Sequence, residues 1–293
     1  MRVVSTVEDI LFERRRLKGK VGVVLTMGAL HEGHLALVRA ARAENDAVAV
    51  SIFVNPTQFA AREDFASYPR ELNRDLALLD HAGVDLVFTP TAEVMYPAGY
   101  ETYVTVEDVS RGLEGELRPG HFRGVTTIVA KLFHLLHPTT AYFGQKDAQQ
   151  VVVIRHMVRD LHFPLEIAVI PTVRERDGLA MSSRNAYLKP DERASASVLY
   201  RAILAASDAY EQGDTRPDAL RRAARDVLDA EPRAAVDYVA ICDPQTLYGI
   251  HQPTEKPLII LIAAKIGTPR LLDNALLPFH LNTREHLSAI LGG

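Results

Sequence analysis

The sequence predicts an α/β protein: a parallel sheet covered by helices on both faces, followed by a smaller α+β domain. Two observations predict it. Short apolar runs alternate with helical stretches up to about residue 170, the pattern of βα units in a parallel sheet. Beyond residue 188 the order changes to two Ala- and Arg-rich helical stretches followed by two apolar runs. The 293 residues suffice for two domains, expected as 1–188 and 189–293.

Each element has a local signature. Ser5 and Glu8 have capping-box spacing, so residues 5–18 read as a surface helix. Its run Arg14-Arg15-Arg16-Leu17-Lys18 suits either an acidic partner or a solvated face. Residues 21–26 are a short apolar run, a buried strand. Residues 34–44 place Leu35, Val38 and Ala41 at helical spacing, and 47–54 read as a second strand. A helix over 69–82 closes at Gly83, a natural C-cap, before a strand at 84–88. A helix over 124–136, a strand at 141–143, a helix over 147–160 and a strand at 165–170 complete the first domain. In the second, 191–212 and 217–230 are helices around the turn Gly213-Asp214-Thr215, and 236–241 and 258–264 are strands.

Composition narrows the function. The hydrophobic share of 47% is ordinary for a globular core, and a net charge of -4 is unlike a general nucleic-acid binder, which is usually basic. The single cysteine, Cys242, excludes an intrachain disulfide framework and a cysteine-rich metal site, and it fits a reducing cytoplasm. Glu8, Asp9 and Glu13 interrupt the first twenty residues, so no signal peptide is expected. No apolar run reaches the roughly 18 residues needed to span a bilayer. A cytoplasmic chain without membrane or nucleic-acid partners is expected.

Four segments carry chemistry. Residues 26–34 (TMGALHEGH) join a strand to a helix, where free N–H groups and the positive dipole end suit phosphate. His31 and His34 lie one turn apart and can donate to phosphate oxygens; Gly28 and Gly33 allow close backbone approach. The pair is also readable as ordinary surface histidines or as half of a zinc site, although the spacing is not HExxH and no cysteine lies nearby. Residues 181–185 (MSSRN) offer two hydroxyls, a guanidinium and loop amides as an anion cradle, or form a solvated connector. In residues 143–150 (FGQKDAQQ) Lys146 is a point charge suited to phosphate or a solvated lysine, and Asp147 stands where an N-cap would. Asn55 and Gln58, in 55–59 (NPTQF), can read hydroxyls and carboxylates, or serve a turn. Three of the four fall at strand-to-helix junctions, the side on which parallel sheets bind ligands.

A histidine pair on the first helix with a late Met-Ser-Ser-Arg loop resembles the HIGH and KMSKS signatures of class I aminoacyl-tRNA synthetases and related nucleotidyltransferases. The wording is narrower. Residues 26–37 (TMGALHEGHLAL), 53–59 (FVNPTQF), 121–125 (HFRGV), 143–147 (FGQKD), 178–185 (GLAMSSRN) and 268–274 (TPRLLDN) resemble the pantothenate synthetase family, in order along nearly the whole chain. Ala148 departs slightly, standing where an aromatic residue commonly precedes the two glutamines.

The resemblance implies a Rossmann-like nucleotide-binding domain, a smaller C-terminal lid domain and a homodimer. It implies that ATP and pantoate give pantoyl-adenylate and pyrophosphate, and that β-alanine then yields pantothenate and AMP, with Mg2+ required. Position by position, Met27, Gly28, Ala29, Leu30, His31, Glu32, Gly33 and His34 would line the ATP site, with His34 the acid and His31 assisting. Gln58, Gln150 and Asn55 would serve pantoate, Gln58 also lying near β-alanine. Gly144, Gln145, Lys146 and Asp147 would meet ribose and phosphates, and Val173 would touch adenine through its backbone. Met181, Ser182, Ser183 and Arg184 would close over the triphosphate, and Asp75 would be an Mg2+-linked carboxylate. The alternatives are an adenylyltransferase or adenylate-forming ligase for another small substrate, an RNA-binding synthetase-like module without ligase activity, and a homologue that has lost catalysis.

Overall fold

The computed structural model describes residues 1–60 and 65–292. The chain divides into two compact units, one of residues 1–143, 149–170 and 292–293, the other of 144–148 and 171–291. Residues 171–188, upstream of the compositional change at 188, belong to the second unit. Leu179 and Leu188 join that unit's apolar core.

The first unit is built on six strands, β1 (Arg2–Val4), β2 (Val21–Thr26), β3 (Ala47–Ile52), β4 (Leu86–Phe88), β5 (Thr140–Gly144) and β6 (Glu166–Ile170), in the order β1-β4-β3-β2-β5-β6. The sheet is parallel. Its helices are α1 (Val7–Arg16), α2 (Glu32–Glu44), α3 (Leu72–His81), the short α4 (Ala92–Met95) and α5 (Glu114–Leu117), α6 (His121–Leu136) and α7 (Ala148–Asp160).

Both faces of the sheet are dry. In register across β2, β3, β4 and β5, Val24, Val50, Val87 and Tyr142 point one way into a cluster with Leu37, Val38 and Ala41 of α2 and Leu79 of α3. Alternate residues of a strand face opposite sides. The opposite row, Val23, Ala49, Leu86 and Ala141, is equally buried, as continuous apolar runs in parallel strands require.

The second unit follows a helices-then-strands order. α8 (Pro190–Ala196), α9 (Val198–Glu211) and α10 (Pro217–Asp229) precede the antiparallel sheet β7 (Ala234–Cys242), β8 (Leu258–Ile266) and β9 (Arg270–Leu277), and α11 (Arg284–Leu287) follows. Leu199, Ala202, Ile203 and Ala206 of α9 and Leu220, Ala224 and Leu228 of α10 pack with Ile260, Ile262 and Ala264 of β8.

Some elements depart from expectation. The helix expected over 191–212 is broken at Ser197, whose hydroxyl donates to the Ala194 carbonyl and so competes with the helical ladder. Thr6, not Ser5, caps α1: its Oγ1 accepts from Asp9 N at 3.1 Å and donates to Asp9 Oδ2 at 2.8 Å. The same spacing fits one residue later. Strands β1 and β9 were not expected from periodicity.

Candidate active site

The order of the sheet fixes where a ligand would bind the first unit. β2 lies between β3 and β5; the chain runs outward through β3 and β4 on one side and through β5 to β6 on the other. The direction therefore switches between β2 and β5, and open α/β sheets bind ligands beyond the carboxyl ends of their strands at such a point.

Beyond β2 the loop 27–31 turns through the left-handed region at Gly28 (φ 85°) and at Ala29 (φ 50°). A non-glycine residue there is strained, so something must hold it. Asp75 on α3, only 1% exposed, does so: its two carboxylate oxygens accept from Ala29 N at 2.8 Å and Leu30 N at 2.9 Å. Arg74 adds a bond from its guanidinium to the Leu30 carbonyl at 3.2 Å. Thr26 Oγ1 accepts from Gly28 N at 2.8 Å. Asp75, expected as an Mg2+-linked carboxylate, is thus buried with both oxygens engaged by this loop. Among the described residues, no group of three or more His, Cys, Asp or Glu could hold a metal ion.

His31 and His34 form a reciprocal cap at the start of α2. His31 Nδ1 accepts from Gly33 N at 3.2 Å, and His34 Nδ1 accepts from His31 N at 3.4 Å; the ring centroids are 4.1 Å apart. With each Nδ1 an acceptor, the ring proton of a neutral imidazole sits on Nε2. Two Nε2–H groups thus stand at the positive dipole end of α2, which suits an anion. Glu32 pairs with Arg39.

Beyond β3, Asn55 caps the turn Pro56–Gln58, which ends on Gln58. Asn55, 1% exposed, accepts from Tyr96 Oη at 2.8 Å and donates to Gln58 Oε1 at 3.1 Å and to the Gly124 carbonyl at 3.2 Å. Gln58 Nε2 donates to Met27 Sδ at 3.0 Å. Burial pushes the Tyr96 phenol up to about 12, so it remains a donor at neutral pH. The motif at 121–125 now has a task. His121 Nδ1 meets the Gln58 carbonyl at 2.8 Å, and a Cβ on Gly124 would lie 2.4 Å from the Thr57 carbonyl oxygen. Only glycine lets α6 approach that turn.

On α7 the adjacent glutamines differ. Gln149, 4% exposed, is spent on structure: Nε2 donates to the Val109 and Gly112 carbonyls and Oε1 accepts from Glu114 N. Gln150 is half-buried.

In the second unit, the turn Gln145–Asp147 is held from below. Asn274 on β9 donates to the carbonyls of Gln145 and Lys146, both at 2.9 Å. Gln145, 2% exposed, donates to Asn282 at 2.6 Å. Lys146 Nζ lies 3.1 Å from Asp147 Oδ1. Residues 173–181 form a hairpin in which Met181 N donates to the Val173 carbonyl at 2.9 Å. Arg174 makes a forked pair with Asp273, at 2.6 and 2.9 Å, and its guanidinium lies 4.2 Å from the Tyr200 ring centroid. The block at 268–274 therefore fixes two of the segments singled out in sequence. Ser182 caps the turn Ser183–Tyr187 by accepting from Arg184 N. In the turn of the hairpin the Arg193 guanidinium holds the Asp177 carboxyl below its ordinary range.

Within the first unit the structure brings Met27, Asn55 and Gln58 together and joins the loop 28–30 to Asp75. Within the second it seats Gln145 and Lys146 on β9, with Gly144 and Asp147 flanking them in the chain, and joins Val173 to Met181. Tyr96, His121, Arg174, Asp273 and Asn274 were missed as supports. For His121, Asp273 and Asn274 the matched blocks already held the signal.

A parallel sheet with a clamped loop and an imidazole-capped helix at its switch point is an α/β fold whose switch point suits an anionic ligand. The comparisons narrow this. Residues 1–276 match the family model described as Pantoate-beta-alanine ligase. The chain is 55% identical to the pantothenate synthetase of Herpetosiphon aurantiacus over 274 residues, 94% of this chain and 99% of that one. It is 55% identical to that of Chloroflexus aggregans over 277 residues, 94% and 100% of the two chains. It superposes on the Thermus thermophilus pantothenate synthetase crystal structure with a TM-score of 0.89 at 50% identity, covering 94% of this chain and 98% of that one. The Francisella tularensis pantoate-beta-alanine ligase, solved with beta-gamma ATP and beta-alanine, matches with a TM-score of 0.77 at 34% identity, covering 94% and 97%. The chain belongs to the pantoate-beta-alanine ligase family.

Proposed function

We propose that this chain condenses pantoate with β-alanine at the expense of ATP, through a pantoyl-adenylate, releasing AMP and pyrophosphate. The observation that carries the reading is the paired cap of His31 and His34 at the switch point of a chain matching the ligase family along 276 residues.

The chemistry follows from charge. A pantoate carboxylate attacking the α-phosphorus brings two anions together, and a bond to pyrophosphate breaks as the new P–O bond forms. Positioning and neutralisation then supply most of the catalysis. His31 and His34, through Nε2–H, are proposed to donate to phosphate oxygens, with His34 the acid. Lys146 and Arg184 are proposed to bear on the phosphates, and Ser182 and Ser183 to close over them. Met27 to Leu30 and Gly144 to Asp147 are proposed to line the nucleotide, with Val173 against adenine. Gln58, Gln150 and Asn55 are proposed for pantoate.

Mg2+ is proposed to arrive on the nucleotide's own phosphates, where it would neutralise charge. Asp75 fits direct ligation poorly, since it is buried and its oxygens hold the loop, so its proposed contribution is through that loop. A cytoplasmic location and a homodimer complete the proposal. Among the described residues no helix is long and apolar enough to cross a membrane. Light scattering should return twice the chain mass.

The deciding experiment is ATP–pyrophosphate exchange without β-alanine. Exchange should depend on pantoate. Exchange with any small acid alike, or none with pantoate, refutes the reading.

A further inference from the structure

Gln58 stands at the end of a hydrogen-bonded chain anchored on main-chain groups. A carbonyl can only accept and a peptide N–H can only donate. Asn55 Nδ2 faces the Gly124 carbonyl at 3.2 Å, and Asn55 Oδ1 faces Thr57 N at 3.4 Å, which fixes the orientation of that amide. Its Oδ1 also accepts from Tyr96 Oη at 2.8 Å and Thr57 Oγ1 at 2.9 Å. Nδ2 then meets Gln58 at 3.1 Å, and the Gln58 atom facing a donor must be Oε1. The Gln58 Nε2 is left to point away, towards Met27 Sδ. Tyr96 is itself held: Lys131 Nζ, anchored on the Met95 carbonyl, lies 5.1 Å from its ring centroid.

We propose that Tyr96 is a positioning residue for the acid substrate: acting through Asn55, it locks the Gln58 amide with Nε2 outward, so that the pocket selects a ligand oxygen that accepts. The proposal deepens the reading above and rests on Gln58 as a pantoate-binding residue. A thioether is a weak acceptor, so Met27 Sδ holds the Nε2–H until a carboxylate or hydroxyl oxygen replaces it. Without the Tyr96 hydroxyl, Asn55 Oδ1 loses its shortest contact and keeps Thr57 N at 3.4 Å and Thr57 Oγ1 at 2.9 Å, so the Asn55–Gln58 bond is held less firmly and the Gln58 amide turns more easily. A turned amide offers an oxygen where the ligand needs a donor.

The test uses Tyr96→Phe in the full chain, which keeps the ring and removes the hydroxyl. In pantoate-dependent exchange the KM for pantoate should rise about tenfold while that for ATP stays within about twofold, as for a lost buried hydrogen bond. In a Gln58→Ala background the same substitution should add less than about twofold, because it acts through Gln58. An undiminished effect in that background, or an equal rise in the KM for ATP, overturns the relay. A second measurement is independent of activity. The Gln58 side-chain amide resonance of isotope-labelled protein, identified by its loss in Gln58→Ala, should move in Tyr96→Phe without ligand. If it does not move, the relay is wrong even in an enzyme that uses pantoate. If it moves in a protein that does not use pantoate, the relay stands and the substrate assignment falls.

Discussion

Replacing Asp75 by asparagine probes the loop on which the nucleotide reading depends. The carboxylate accepts two backbone N–H groups at 2.8 and 2.9 Å in a site 1% exposed. Hydrogen bonds to a charged partner contribute about 1.5–3 kcal/mol each. Asparagine keeps one acceptor but turns an NH2 towards the other amide, so one bond is lost and a donor meets a donor. The clamp also offsets the left-handed backbone at Ala29, which costs about 1–2 kcal/mol in a residue with a Cβ. Local opening should therefore become easier by about 2–3 kcal/mol, a fall of roughly 30- to 150-fold in hydrogen-exchange protection of the Ala29 and Leu30 amides. The KM for ATP should rise with it, since the same loop leads into His31. Protection within about threefold of the unsubstituted protein would refute the clamp, being less than one such bond provides.

Other substitutions test other parts. His34→Ala or Lys146→Ala should lower adenylate formation by about 10²–10³ while circular dichroism is unchanged, the scale of losing one charge-stabilising donor; near-normal exchange in either removes that residue from its role. Gly124→Ala should raise the KM for pantoate and cost about 1–3 kcal/mol in a denaturant melt, because its Cβ would lie 2.4 Å from the Thr57 oxygen and 2.7 Å from Gln58 N. The Cys242 thiol is pushed from 9.0 up to about 12 by burial, so at pH 8 the folded protein holds about a thousandfold less thiolate, and alkylation should be slow until urea is added. The folded state keeps that proton where the unfolded chain has lost it; this contribution to stability is fully present below pH 9 and should fall as pH rises towards 12.

Much of this architecture was legible in sequence. Continuous apolar runs announced β2, β3 and β6, because strands buried on both faces have no polar side to show. The segments carrying chemistry were legible because glycine, histidine and amide residues cluster where strands end. What escaped was support at long range. β9 carries Asp273 and Asn274 in its middle, which breaks an apolar pattern; their partners, Arg174 and Gln145, lie 99 and 129 residues away in sequence. Tyr96 meets Asn55 from 41 residues away, and nothing local marks it. The resemblance implies an Mg2+-linked role for Asp75, whereas its two backbone partners become visible only once the loop is folded.

The glycine contact between α6 and the 56–58 turn has a consequence for redesign. The polarity offered to a substrate at Gln58 is inherited in large part from the direction of two peptide units, one in the helix and one in the turn, with the Tyr96 hydroxyl holding the same Asn55 amide. Recasting this corner for a ligand that donates instead of accepts would require shifting the helix as a whole, so single substitutions should weaken selectivity far more readily than they reverse it.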